Sequence, residues 1–385
     1  MSRMAHHRDT REIPVLRPLL PTAERLLPYL SRIDASRCYT NWGPLVSELE
    51  GRLAGQFRVP RHGVVSASSG TAALVGAILA TAGRATSDRP FAIMPALTFV
   101  ATAIAVEQCG YQVHLADVSS NDWMLDARAL SSHPMLARTG VVVPVSTYGR
   151  PVNHQAWYTF RQQTGVPVVI DGAASFEALS GEATALVSEL PVALSLHATK
   201  AFGSGEGGCV ITTDAGVAES VTRSLNFGFF EDRECRAAST NGKMSEYHAA
   251  VGLAELDTWP AKRQNFLDVA DTYRQRMQEV GLGERLVAAP AVAACYVLYR
   301  STDAREAACV KESLTGGHVA FRSWYGTGIH GQPHFSSVSR DALDVTDRLA
   351  PLLIGLPVAP DLAERDVARV VDSVALGVNS GRRAP

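Results

Sequence analysis

The chain has 385 residues, 46% hydrophobic and 19% charged, which is enough apolar material for a substantial core and enough length for two domains. Its formal net charge of -2 leaves no basic excess to neutralise a nucleic-acid backbone or an anionic membrane, so neither is expected as a partner. The six cysteines, Cys38, Cys109, Cys209, Cys235, Cys295 and Cys309, are widely spaced, with no CxxC pair to suggest zinc or a redox couple. No metal is expected, and the thiols read as reduced in a cytoplasmic protein.

The first residues, MSRMAHHRDTREIPV, carry charges where a secretory signal needs an apolar core. No later run approaches the ~20 apolar residues of a membrane span. Residues 1–44 are taken as an N-terminal segment, 45–258 as a large domain and 259–385 as a smaller one. From Arg61 to Asp214, β-rich runs alternate with helical patterns, which predicts a largely parallel sheet covered by helices. The strands are HGVVSAS, FAIMPA, YQVHLADV, GVVVPVS, PVVIDG, VALSLHA and GCVITTD. Several lack a polar face, as strands buried on both sides do. The helices TAALVGAILATAG, TFVATAIAVEQCG and NHQAWYTFRQQTG each end near a glycine that can stop them. After Trp259 a long polar helix, AKRQNFLDVADTYRQRMQEVG, opens the second domain, and NSGRRAP reads as a frayed tail.

Three segments carry chemistry. In the run from Ser66 to Leu74 a strand ends in hydroxyl and glycine residues where a helix starts. Free N–H groups and the helix dipole suit a phosphate there, and an ordinary Ser/Thr N-cap is the alternative. Next, an apolar strand delivers Asp171 at its C-terminal end, where ligands of open α/β sheets gather. Such a carboxylate can keep a pyridinium nitrogen protonated; a loop cap or ion-pair partner is the alternative. Third, Lys200 lies between a strand and a glycine-rich turn, a setting that fits a nucleophilic amine better than a solvated surface charge. The turn Gly203-Ser204-Gly205-Glu206-Gly207-Gly208 matches GxGxxG but precedes a strand instead of opening a helix, so a dinucleotide site is rejected.

In this order the motifs YTNWGPLVSELE, SSGTAAL, MPALTFVATAIAV, VPVSTYG, VVIDGAA, SLHATKAFGSGEGG, NGKMSEYHAAVGL and IGLPVAP resemble the DegT/DnrJ/StrS family of pyridoxal 5'-phosphate (PLP) aminotransferases. The resemblance spans almost the whole chain. It implies an α/β, fold-type I protein with a large domain on a mostly parallel seven-stranded sheet, a smaller C-terminal α/β domain, and a homodimer with shared active sites. It also implies that Lys200 holds PLP as a Schiff base and shuttles a proton, with Asp171 on the ring nitrogen. Gly70 and Thr71 then cradle the phosphate, Ser195 is a second phosphate ligand, and Phe99 stacks on the ring unless it is plain core. Asn241 reaches the phosphate of the neighbouring subunit or is simply a helix N-cap. Glu246, Ala249 and Ala250 look structural.

Three positions depart from the family pattern: Ala174 for Gln or His, Phe227 for His, and Lys243 for Arg. They bear on cofactor electronics and substrate contacts more than on the fold. Between Phe321 and His330 a polar, aromatic, glycine-rich stretch reads as a loop over substrate, with Arg322, Tyr325 and His330 as contacts, or as a bland surface loop. The expected reaction is transfer of an amino group from an amino acid, glutamate or glutamine, to a keto sugar, nucleotide-linked sugar or cyclitol in natural-product or polysaccharide biosynthesis. One alternative is a dehydration, elimination or carbon–carbon reaction on the same cofactor, and another is a non-catalytic PLP-binding regulator.

Overall fold

The computed structural model of the protein describes residues 11–180 and 189–383. Most of the charged N-terminal stretch, residues 1–10, lies outside the described residues, as do Ala384 and Pro385. Two helices open the fold, α1 (Ala23–Ser36) and α2 (Pro44–Phe57). Pro44 sits where a helix needs no N–H donor, and the Glu246 carboxylate accepts the next two N–H groups, those of Leu45 and Val46, at 2.8 and 2.9 Å.

The alternating region then supplies β1 (Val64–Ala67), α3 (Gly70–Ala82), β2 (Phe91–Pro95), α4 (Val100–Gln108), β3 (Gln112–Ala116), α5 (Ala127–Leu130) and β4 (Thr139–Val142). It continues with α6 (His154–Thr164), β5 (Ile170–Asp171), α7 (Phe176–Ser180), β6 (Val192–Ser195), β7 (Gly208–Ile211) and α8 (Ala215–Leu225). Strands β1, β7, β6 and β5 pair in that order, as do β4, β2 and β3. Parallel bridges Val142 to Val168 and Val145 to Asp171 join the halves into one seven-stranded sheet. All seven expected strands are present and are buried on both faces, where full burial of a Val, Leu or Ile side chain contributes roughly 1.5–3 kcal/mol. Only β7 runs antiparallel to its neighbours β1 and β6. The reason is local: residues 196–207 fold into a turn with no crossover helix, so the chain leaves β6 and comes straight back.

Helix α9 (Glu246–Glu279) starts well before the expected helix at Ala261 and runs on through Pro260. The boundary expected at 258/259 therefore lies inside a continuous helix, which packs against α2 and, further on, against the last helix of the chain. Beyond it come β8 (Leu286–Val287), β9 (Val297–Arg300), α10 (Ala304–Gly316), β10 (Ser339–Arg340), α11 (Asp344–Leu349), β11 (Leu353–Leu356) and α12 (Glu364–Arg383). The order β11-β9-β8 forms a small antiparallel sheet with α10 and α12 packed together beside it. The tail read as frayed is helical through Arg383, because α12 lies tightly on α10: a Cβ on Gly377 would come within 2.5 Å of Val310 Cα.

Two segments tie the parts together. Residues Ile13 and Leu16 bridge to Val319 and Val358. In the other direction β10 pairs in parallel with β3, and Ile329, Phe335 and Leu343 join the apolar cluster beneath the large sheet.

Candidate active site

The C-terminal ends of β1, β5 and β6 open onto one cavity of about 420 Å³ lined by Gly70, Thr71, Phe99, Asp171, Ser195, Lys200, Arg322 and Tyr325. Eight residues singled out from the sequence thus meet at one place. Asn241 and His330 are not on its wall.

At the start of α3, Ser69 is the N-cap and its Oγ accepts the Ala72 N–H at 3.1 Å. The Ala73 N–H donates to Ser69 O, which leaves the N–H groups of Gly70 and Thr71 without an intrahelical partner. Capping and anion binding are therefore compatible at this helix end, since different groups serve them. Packing explains the glycines. A Cβ on Gly70 would lie 2.6 Å from Ser195 Cβ, and one on Gly208 only 2.5 Å from Ser69 O. Gly208 is the cross-strand partner of both Ala67 and Ser195, so the close approach brings Ser195 beside the helix start.

Asp171, at the end of β5, is 7% exposed. Its Oδ1 accepts the Ala173 N–H at 3.0 Å and its Oδ2 the Thr102 hydroxyl at 2.7 Å. Burial pushes this carboxyl above the usual carboxylate range, while Thr102, Ala173 and the nearby Lys200 ammonium favour the ionised form.

Lys200 is held by the folded-back turn that follows β6. Its N–H donates to His197 O at 2.9 Å, and Leu196 and Ala198 donate to Gly207 O and Gly205 O. His197 Nδ1 accepts the Thr199 N–H, which further stiffens the segment. The Lys200 side chain is partly buried, with Nζ 5.8 Å from the centre of the Tyr296 ring. Tyr296 and Tyr325 both flank buried Tyr148, with Tyr325 stacked on it at 4.9 Å and Tyr296 edge-on at 5.6 Å. Burial raises all three phenols well above their ordinary range, so they remain neutral.

Phe99 is the residue before α4 and is 60% exposed, so the plain-core alternative fails; its ring faces the cavity. Arg322 has no acidic partner among the described residues, and its guanidinium lies 5.6 Å from the Trp324 ring centre. His330 Nε2 instead meets Asp347 Oδ1 at 2.8 Å, away from the cavity. Asn241 is exposed and accepts from Lys243 Nζ at 2.6 Å. It is not a helix cap, because Ser245 caps α9. Lys243 Nζ lies 4.2 Å over the Phe227 ring, so three positions tied to the resemblance share one surface patch.

Two residues at the site carried no signal of their own in the sequence. Tyr296 lines the cavity from a run without a motif, and Thr102, bonded to Asp171, looked like one more small residue in an apolar helix.

Far along the sheet, His114, His133 and Asp341 form the one cluster among the described residues with metal-ligand spacing. Both Nε2 atoms lie within 3.1 Å of an Asp341 oxygen. His133 Nδ1 accepts the Met135 N–H, so its ring proton must sit on Nε2 and donate to Asp341. The nitrogen a metal would need is occupied by a proton, and the cluster is a clasp between β3 and β10.

A family model for the DegT/DnrJ/EryC1/StrS aminotransferases matches residues 22–375. Protein Rv3402c of Mycobacterium tuberculosis (strain ATCC 25618 / H37Rv) is 30% identical over 372 residues, 94% of this chain and 89% of its own length. The dTDP-4-amino-4,6-dideoxy-D-glucose transaminase of Shigella dysenteriae is 28% identical over 270 residues, 70% of this chain and 71% of its own. The crystal structure of DesI, obtained in the presence of its TDP-sugar product, matches with a TM-score of 0.82 at 28% identity, covering 96% of this chain and 94% of DesI. The chain belongs to the DegT/DnrJ/EryC1/StrS aminotransferase family, and its fold is the fold-type I architecture of PLP-dependent aminotransferases.

Proposed function

We propose that this enzyme transfers an amino group from an amino-acid donor, glutamate or glutamine, to the carbonyl of a keto sugar, a nucleotide-linked sugar or a cyclitol, with PLP as cofactor. The observation that carries the proposal is the meeting of an amine, a buried carboxylate and a free helix N-terminus on one cavity. Those three groups match the aldehyde, the ring nitrogen and the phosphate of PLP. When bound, PLP supplies a cationic ring that withdraws electrons from the substrate carbon.

The chain's own residues do the rest. Lys200 Nζ holds the cofactor and carries a proton to and from the substrate carbon. Asp171 holds the ring nitrogen in its charged form, the N–H groups of Gly70 and Thr71 with Ser195 hold the phosphate, and Phe99 covers one face of the ring. Arg322, unpaired and flat, takes an anionic group of a substrate, and the neutral Tyr325 hydroxyl offers a hydrogen bond. The patch of Asn241, Lys243 and Phe227 serves the second active site of a homodimer. The acceptor class is supported by the relatives, which include transaminases of dTDP- and UDP-linked sugars. Among the described residues no helix is long and apolar enough to cross a membrane.

Borohydride reduction of PLP-loaded protein followed by peptide mapping tests the covalent step. A pyridoxyl group on Lys200, absent from Lys200→Ala, is expected; its absence from the wild-type peptide sinks the proposal. Incubation with glutamate and with glutamine then separates transamination from other PLP chemistry, because only a transaminase releases the matching 2-oxo acid, 2-oxoglutarate or 2-oxoglutaramate.

A further inference from the structure

Two buried hydroxyls stand behind the carboxylate and have no part in the proposed chemistry. Thr98 and Thr102 are 2% and 0% exposed, and their Oγ1 atoms lie 2.9 Å apart. A threonine within a helix usually bonds back to the carbonyl four residues earlier. Thr102 instead meets the hydroxyl of the residue four back, and its own Oγ1 lies 2.7 Å from Asp171 Oδ2.

The proton count gives this chain a direction. A hydroxyl carries a single proton. With Asp171 ionised, Thr102 must donate to it, and Thr98 must then donate to Thr102. If Oδ2 takes up a proton, both bonds reverse, with Asp171 donating to Thr102 and Thr102 to Thr98. The pair therefore accommodates either state, but it donates a hydrogen bond to the carboxylate only in the ionised one. Among the described residues Ala173 N–H is the one other donor to the Asp171 carboxylate, and it serves Oδ1. Each oxygen thus has one protein partner and a further lone pair directed elsewhere. The placement is a property of α4: Phe99, just before its first residue, reaches the cavity, and Thr102, three residues later on the same side, reaches Asp171.

We propose that Thr102, oriented by Thr98, is a positioning residue that keeps Asp171 as an anion so that the shared proton stays on the cofactor ring nitrogen; this rests on the function proposed above. Valine has nearly the shape of threonine, so Thr102→Val removes the donor with little change in volume. Serine keeps the donor and loses the methyl group.

The test uses full-length wild type, Thr102→Val, Thr102→Ser and Thr98→Val, each stripped of cofactor and titrated with PLP. Affinity is read by absorbance, and the absorbance of the bound cofactor is followed across pH. Thr102→Val is expected to bind PLP roughly tenfold more weakly, the scale of one hydrogen bond to a charged group. The midpoint of its absorbance change should rise by about one pH unit, because a ring nitrogen that yields its proton to Asp171 repels neighbouring positive charge less. Thr102→Ser should return both values to within about twofold of wild type, and Thr98→Val should lie between. Wild-type affinity together with an unmoved midpoint in Thr102→Val overturns the inference. So does a Thr102→Ser protein that behaves like the valine variant, because packing and not the hydroxyl would then be responsible. If the wild-type chain takes up no PLP, the proposed function fails and this inference fails with it.

Discussion

Gly70 shows how much a single residue decides here. Any side chain at this position would press on Ser195 Cβ at 2.6 Å and Ser195 Cα at 3.0 Å, atoms of a strand that cannot swing aside. Gly70→Ala should therefore push α3 away from β6 and open the phosphate cradle. PLP affinity is expected to fall at least about tenfold, equivalent to roughly 1.4 kcal/mol, with the overall fold retained. Titration of the apo-protein checks this, and unchanged affinity would show that the cradle tolerates the shift. Gly70, Asp171 and Lys200 were legible because each stands where a strand gives way to a turn or a helix, a transition written in local sequence. Thr102 was not, because its partner is 69 residues away and only the sheet brings them together.

Among the elements, α6 carries a titratable strain at its first residue. His154 is 5% exposed with no partner for Nδ1, and it occupies a helix start where positive charge is disfavoured. Burial lowers its pKa to about 4 from an ordinary 6.5. Between those values the unfolded chain binds a proton that the folded chain refuses. Stability therefore falls as pH drops from 6.5 towards about 4, by up to roughly 3 kcal/mol. In His154→Phe that slope should flatten. Urea midpoints at pH 7 and pH 4.5 give the answer: parallel losses in the two proteins would assign the acid sensitivity elsewhere. Element identity was mostly readable, since every expected strand exists. Strand direction was not, and β7 runs against its neighbours because its connection is too short to cross over.

Across the whole molecule, a buried ion pair joins three separate parts. Lys262 and Glu255 on α9 are 8% and 2% exposed at their side chains, and Lys262 Nζ also donates to Leu19 O of the N-terminal segment at 2.7 Å. Burial raises the Glu255 carboxyl, opposed by Lys262 and by the Gly203 N–H in the turn that carries Lys200. Lys262→Met strands that carboxylate, and a loss of roughly 3–5 kcal/mol is expected. The pair change Lys262→Met with Glu255→Gln should recover much of it, since no buried charge remains. Denaturant titration of the three proteins decides; equal stability of single and double variants would mean that the carboxylate is already neutral.

By itself the sequence determined the order of strands and helices, the residues at the ends of those strands, and the family, because these follow from local periodicity and from motifs read along one chain. The tertiary structure alone decided which distant side chains meet. It placed Tyr296 and Trp324 at the cavity, set Thr102 against Asp171 and left His330 with Asp347. It also carried residues 329–343 back to the large sheet. The physical reason is that side-chain contacts between separate elements depend on packing and sheet pairing, and neither leaves a periodic trace in the amino-acid order.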